Sequence, residues 1–186
     1  MELVVGGTGT GWRVSEVRHL MAAEGYIGLG LFREADEELR QIDPWHLTRT
    51  PTLLLRLCVH AGLSQWDLVH DIASTLTIYD PENPCWCVWL ATATTRIQSI
   101  TAARKILRDA LRLHPNNANI HYNLSCYERQ LGHVRLAQHH RGRAIALEPR
   151  YLRLAEEAQD HELLWMGTGV NLESALTDPD YSRREF

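Results

Sequence analysis

Apolar residues recur along this chain at helical spacing. Ala103, Ile106, Leu107, Ala110 and Leu111 fall three and four places apart, as do most of Leu136, Ala137, His140, Ala144, Ile145 and Leu147, so each stretch gathers its apolar side chains on one helical face. The stretches end at prolines, which lack an N–H and cannot continue a helix. Pro81, Pro115 and Pro149 stand at equal intervals. Twelve places before each stand Val69, Ala103 and Ala137, and five before each stand Leu76, Ala110 and Ala144, small or apolar side chains that suit close contact between two helices. Breaks fall in mid-unit at Gly62-Leu63-Ser64 and Leu131-Gly132-His133, with a weaker one at Gln98-Ser99. Each unit therefore reads as two antiparallel helices joined by a tight turn, and no strand of consequence is expected.

This phasing resembles that of tetratricopeptide repeat (TPR) proteins. The best unit, Ala118 to Pro149, carries Leu124, Ser125, Gly132, Ala137, Ala144 and Pro149 at the motif positions, and the unit from Pro84 to Pro115 carries Leu90, Ala91, Ala103, Ala110 and Pro115. The unit ending at Pro81 is more divergent: Trp66 and Val69 fit, whereas Gly62 comes two places early. Upstream, Gly30-Leu31-Phe32-Arg33-Glu34-Ala35 looks like the middle of a further unit whose second helix stops short at Pro44. The resemblance implies an all-α fold, a right-handed α-solenoid of three to four helix pairs with a C-terminal capping helix. We place the units at approximately 13–44, 50–81, 84–115 and 118–149, the cap at 150–165, a flexible leader at 1–11 and a mobile tail at 166–186. A capping helix covers the last apolar face of such an array.

The resemblance also implies a concave groove on the first helix of each unit. Here its positions are Leu54 and Cys58 in one unit, Cys85, Val88, Thr92 and Arg96 in the next, and Asn119, Tyr122, Cys126 and Arg129 in the last. Spacings of three and four keep each set on one helical face. Small thiols and Thr92 leave room, Tyr122 offers a flat contact, and Arg96 with Arg129 can donate paired hydrogen bonds to a carboxylate. Lysines and asparagines line the groove of the family members that clamp a terminal dicarboxylate, whereas the one lysine of this chain, Lys105, falls on an outer helix.

Composition narrows the compartment. No uninterrupted apolar run approaches the roughly 18 residues of a membrane span, since Leu53 to Leu63 is broken by Arg56 and His60. The start of the chain lacks the basic flank and apolar length of an export signal, so a cytoplasmic location and four free cysteines are expected. Arginine supplies 18 of the 19 basic residues, a bias suggestive of a high-GC bacterial genome.

Charge adds a second candidate surface. Residues 96–153 hold eleven basic and three acidic side chains, a net of +8, while the rest of the chain carries −12. Arg104, Arg108 and Arg112 recur at every fourth place, and Arg135, His139 and Arg143 repeat the pattern in the following unit, so two convex basic stripes are expected. They suit an acidic partner. Nucleic acid is disfavoured, because the chain is acidic overall and aromatic groups are not interleaved with the arginines.

Other chemistry is weak. Gly6-Gly7-Thr8-Gly9-Thr10-Gly11 lacks the following lysine and hydroxyl residue of a phosphate loop. Cys85 and Cys87 are two apart on a helix and diverge by about 200°, unsuited to one metal ion. His139-His140 are adjacent rather than four apart. No nucleophile turn or acid–base pair stands out, so no metal, cofactor or catalytic residue is expected. The sequence thus points to a non-enzymatic module that binds an acidic peptide or partner segment in its concave groove. The alternative is a self-assembling unit in which the acidic N-terminal half of one copy meets the basic 96–153 block of another, with the tail as a further means of association.

Overall fold

The computed structural model describes residues 12–46 and 49–157; the expected leader 1–11, the cap beyond residue 157 and the tail 166–186 lie outside them. Among the described residues the chain is all helical: α1 (Val14–Gly28), α2 (Phe32–Leu39), a 3-10 turn (Pro44–His46), α3 (Thr50–Gly62), α4 (Trp66–Tyr79), α5 (Pro84–Ile97), α6 (Ile100–Ala110), α7 (Ala118–Gln130), α8 (Val134–Leu147) and α9 (Arg150–Glu157). The fold class is therefore the all-α helical-repeat class that the even spacing of the prolines predicts. Contacts divide the described chain into two compact units, with the boundary after Leu68.

In the first unit, Leu20 and Ala23 of α1, Ala35 and Leu39 of α2, and Leu55 and Val59 of α3 form one core with Trp12 and Ile42. The turn from α1 to α2 uses Gly30 at φ 74°, and the turn after α3 uses Ser64 at φ 58°. Gly62 answers to a different constraint: a methyl group there would overlap the Phe32 ring. A glycine that sits two places from the turn position thus serves the approach of α2 to α3, and Ser64 takes the left-handed backbone that glycine usually supplies. Polar groups knit the entrance of this unit. Buried Glu16 accepts from the Arg13 backbone N–H at 2.9 Å and from His46 Nδ1 at 2.6 Å. Burial raises the Glu16 pKa, but these hydrogen bonds outweigh it and hold the carboxyl below its usual range.

The second unit contains the helix pairs α5–α6 and α7–α8, followed by α9. Ala103 and Leu107 of α6 pack with Val88 and Ala91 of α5 against Ile120, Leu124 and Tyr127 of α7. Starts of successive first helices are capped alike: Asn83 accepts from the Cys85 N–H at 3.0 Å and its repeat equivalent, Asn117, from the Ile120 N–H at 2.9 Å. Gly132, at φ 79°, turns α7 into α8, and the His133 N–H closes back on the Glu128 carbonyl at 2.8 Å. The α5–α6 turn has no left-handed residue; Gln98 turns the chain at φ −130° and ψ −90°, and Ser99, which is extended, caps α6 by accepting from the Ala102 N–H. That is why the sequence signal there is faint.

Candidate peptide-binding cleft

Helix α7 presents Tyr122, Cys126 and Arg129 on one face because their spacings of four and three return to the same side of the helix. Helix α8 runs back beside it and presents Val134, Ala137, Gln138 and Arg141. Together with Ser125 these side chains line an open cleft of ≈ 230 Å³. Its floor is fixed by packing: Tyr122 is stacked on Tyr151 of α9 with ring centroids 4.9 Å apart, and both join a small core with Ala118 and Ala144.

The cleft is cationic without being nucleophilic. Burial pushes the Cys126 thiol up, and the Ser125 hydroxyl together with the fields of Arg129 and Arg141 pulls it only part of the way back. The same two guanidinium groups act on the buried Tyr122 hydroxyl, whose pKa burial also raises. Both side chains are therefore neutral near pH 7, and the charge of the cleft is that of its two arginines. Two exposed guanidinium groups facing one hollow suit a carboxylate, which each can bind through two parallel hydrogen bonds. The remaining thiols are held protonated by burial, Cys58 and Cys87 at about 12 and Cys85 at about 11.

Among the other groove positions, Val88 and Thr92 are buried, Val88 in the core and Thr92 with its hydroxyl donating to the Val88 carbonyl at 2.9 Å. Asn119 accepts from the Asn123 amide and is tied up along α7, while Arg96 is exposed in the last turn of α5. Leu54 is buried and Cys58 half-buried on α3 of the first unit. The structure brings three of the expected positions into one cleft and adds Ser125, Val134, Ala137, Gln138 and Arg141. Of these Arg141 carries a readable signal: its equivalent one repeat earlier is the core side chain Leu107, so an arginine there breaks the apolar pattern.

The basic stripes are not uniform. Arg108, Arg135 and Arg143 are exposed on α6 and α8, with Arg143 donating to Asn116 Oδ1 at 3.0 Å. Arg112 lies beyond the end of α6, in the turn, because that helix stops at Ala110. Arg104 departs from an outer stripe: it donates to Glu128 at 3.3 Å, and Glu128, 1% exposed, also accepts from His133 Nδ1 at 2.6 Å. A buried carboxylate requires such partners, and they turn Arg104 inward. On α8, His140 lies 3.0 Å from His121, nitrogen to nitrogen, and the other His121 ring nitrogen donates to the Pro115 carbonyl at 3.0 Å. A second hollow of ≈ 350 Å³ beside α5 and α6 is lined by Cys87, Leu90, Ile106, Ala110 and Leu113, with Asp109 and no arginine. That lining is less suited to an acid.

No protein-family model and no curated protein matches the chain. Solved structures do. TTC0263, described as a thermophilic TPR protein in Thermus thermophilus, superposes with a TM-score of 0.65 at 18% identity, covering 91% of this chain and 96% of that one. A MamA structure gives 0.58 at 16% identity with 90% of both chains covered. YrrB, described as a TPR protein with an unusual peptide-binding site, gives 0.56 at 12% identity, covering 76% of this chain and 74% of that one. At these identities the likeness speaks for the fold, which is TPR-like.

Proposed function

We propose that this TPR-like chain is a non-enzymatic interaction module that holds an acidic or carboxylate-bearing peptide of a protein partner in the cleft between α7 and α8. The observation that carries the reading is the convergence of Arg129 and Arg141 on the hollow over Tyr122 and Cys126. Peptide binding by YrrB, as its description gives it, supports the class of function. Nothing in the cleft is set up for bond making: its thiol is protonated, and its serine hydroxyl donates to a backbone carbonyl at 2.6 Å. No helix among the described residues is long and apolar enough to cross a membrane.

The reading is tested by screening the chain against immobilised acidic peptides and measuring the affinity of those retained. Arg129→Ala combined with Arg141→Ala should weaken binding by about 2 kcal/mol, the lower end of the range for charge pairs because the cleft is open to solvent. Binding should also fall as salt is raised. Unchanged affinity in a variant with the wild-type circular dichroism spectrum refutes the cleft and points to the exposed Arg108–Arg135 surface instead.

A further inference from the structure

The second hollow, beside α5 and α6, shares no residue with the cleft, and the next repeat shows why it is open. Cys87 and Ile106 in its lining have as equivalents one repeat on His121 and His140. There the two imidazoles meet nitrogen to nitrogen at 3.0 Å, and His121 donates to the Pro115 carbonyl at 3.0 Å. Cys87 is too short to do the same. Its thiol donates to the Pro84 carbonyl of its own helix at 2.9 Å, and the Pro81 carbonyl, equivalent to that of Pro115, is met instead by His114 at 3.0 Å. One place in the repeat is thus filled by two rings in one unit and left as a hollow of ≈ 350 Å³ in the other.

Charge at the hollow is reversed as well, since Asp109 stands where the next repeat has Arg143. Residues 96–153 hold three acids in a strongly basic stretch. Glu128 is paired with Arg104 and His133, and Glu148 with Arg150 at 2.6 Å, whereas the Asp109 carboxylate has no hydrogen-bonded or ionic partner among the described residues. Other polar side chains of the lining are committed: Thr77 donates to the Ser74 carbonyl at 2.7 Å and His114 to that of Pro81. Leu90, Ile106 and Leu113 supply apolar wall, and Leu113 is 69% exposed. We propose that this hollow is a second docking site, opposite in sign to the cleft, for a basic amphipathic helix of a protein partner. Apolar side chains of that helix lie over Leu90, Ile106 and Leu113, and an arginine or lysine beside them reaches Asp109. Such side chains cover apolar surface with their stems while the charged head finds a carboxylate. A helix offers both kinds of group on one face at spacings of three and four, and the volume lies within the range of sites that bury a ligand, about 300–1,000 Å³. An acidic or wholly apolar segment would leave Asp109 unpaired.

The test uses the full chain and two short, fluorescein-labelled helical peptides, one of leucine, alanine and arginine and a twin with glutamate in place of arginine. Fluorescence anisotropy reads the affinity of each. The arginine peptide should bind the wild-type chain. Asp109→Arg, which copies the next repeat, should weaken it at least about tenfold, because an attraction becomes a repulsion. Cys87→His combined with Ile106→His, which copies the imidazole filling, should weaken it comparably. An arginine peptide that does not bind, or that binds wild type and both variants alike, overturns the proposal. So does a loss in Asp109→Arg alone, which would make the attraction one of net charge and not of the hollow.

A third variant covers the case in which the two histidines fail to pack. Leu113 is largely exposed, so Leu113→Gln spares the core while removing apolar wall, and it should weaken the arginine peptide at least about threefold. Unchanged affinity refutes the docking. Sedimentation velocity without peptide should show a monomer; a self-associated chain that Asp109→Arg and Leu113→Gln both dissociate would make a second copy the occupant and overturn the proposal. The glutamate twin reads the cleft, where Arg129→Ala with Arg141→Ala should weaken it and the hollow variants should not, so the two sites can fail separately.

Discussion

Glu128 offers the sharpest check on how the cleft helix is held. Its side chain is 2% exposed, and the carboxylate accepts from Arg104 at 3.3 Å and from His133 at 2.6 Å. The Arg104 side chain is 22% exposed and that of His133 46%, so water screens the partners but not the acid. Arg104→Met strands a buried negative charge on His133 alone. Breaking a buried pair in this way costs about 3–5 kcal/mol, and the exposed histidine places the expected loss at the lower end, near 3 kcal/mol. Glu128→Met instead leaves the partners, which can hydrate, and should cost about 1–2 kcal/mol. The double variant places two apolar chains in contact and should lie within about 1 kcal/mol of wild type, since such replacements are often neutral. The coupling energy is then at least about 3 kcal/mol, the two single losses less that of the double variant. Urea denaturation followed by circular dichroism gives the global values. Amide exchange along α7 gives the local one, needed because a chain of two compact units is not assured of a single two-state transition. Additive single effects, with coupling below about 0.5 kcal/mol, would show that Glu128 is not held by these partners, and the account given for Arg104 would be wrong.

Further expectations concern packing and pH. Ala144 is fully buried against Ala118, Tyr122 and Tyr151, so Ala144→Leu should cost about 1–3 kcal/mol in thermal melting, whereas Ala137→Leu, at the edge of the cleft, should cost less. Gly62→Ala should destabilise by about 1–2 kcal/mol despite the better helix propensity of alanine, because the added methyl meets the Phe32 ring; a gain in melting temperature would contradict that contact. His140 is lowered to about 4 from an ordinary 6.5, first by burial and then by His121 and His139. Its unfolded form therefore takes up a proton before the folded form does. Its contribution to stability is complete above about pH 6.5 and lost as pH falls toward 4, so His140→Gln should flatten the urea midpoint over that window. Glu16, whose folded carboxyl is depressed, adds its loss below about pH 4.5, and Glu16→Gln should remove that part of the acid response.

The helices and their phase were legible because each depends on residues three or four places apart, or one full repeat apart. Val69, Ala103, Ala137 and Ala144 are buried, and the turn positions 30, 64 and 132 have left-handed backbone. Periodicity of this kind is local, and local spacing alone determines which face of a helix is apolar. The candidate site was legible in part. Spacing placed Tyr122, Cys126 and Arg129 on one face of α7, but Val88 and Thr92, equally well spaced on α5, disappear beneath α7. Spacing says which side chains share a face and not whether another helix covers it. Tertiary packing alone decided that Arg141 of α8 faces Arg129, that Arg104 turns inward to Glu128, and that Gly62 makes room for Phe32. Each of those relations joins residues on different helices and is settled by the distance between helix surfaces and the need to pair buried charge, neither of which a single strip of sequence records.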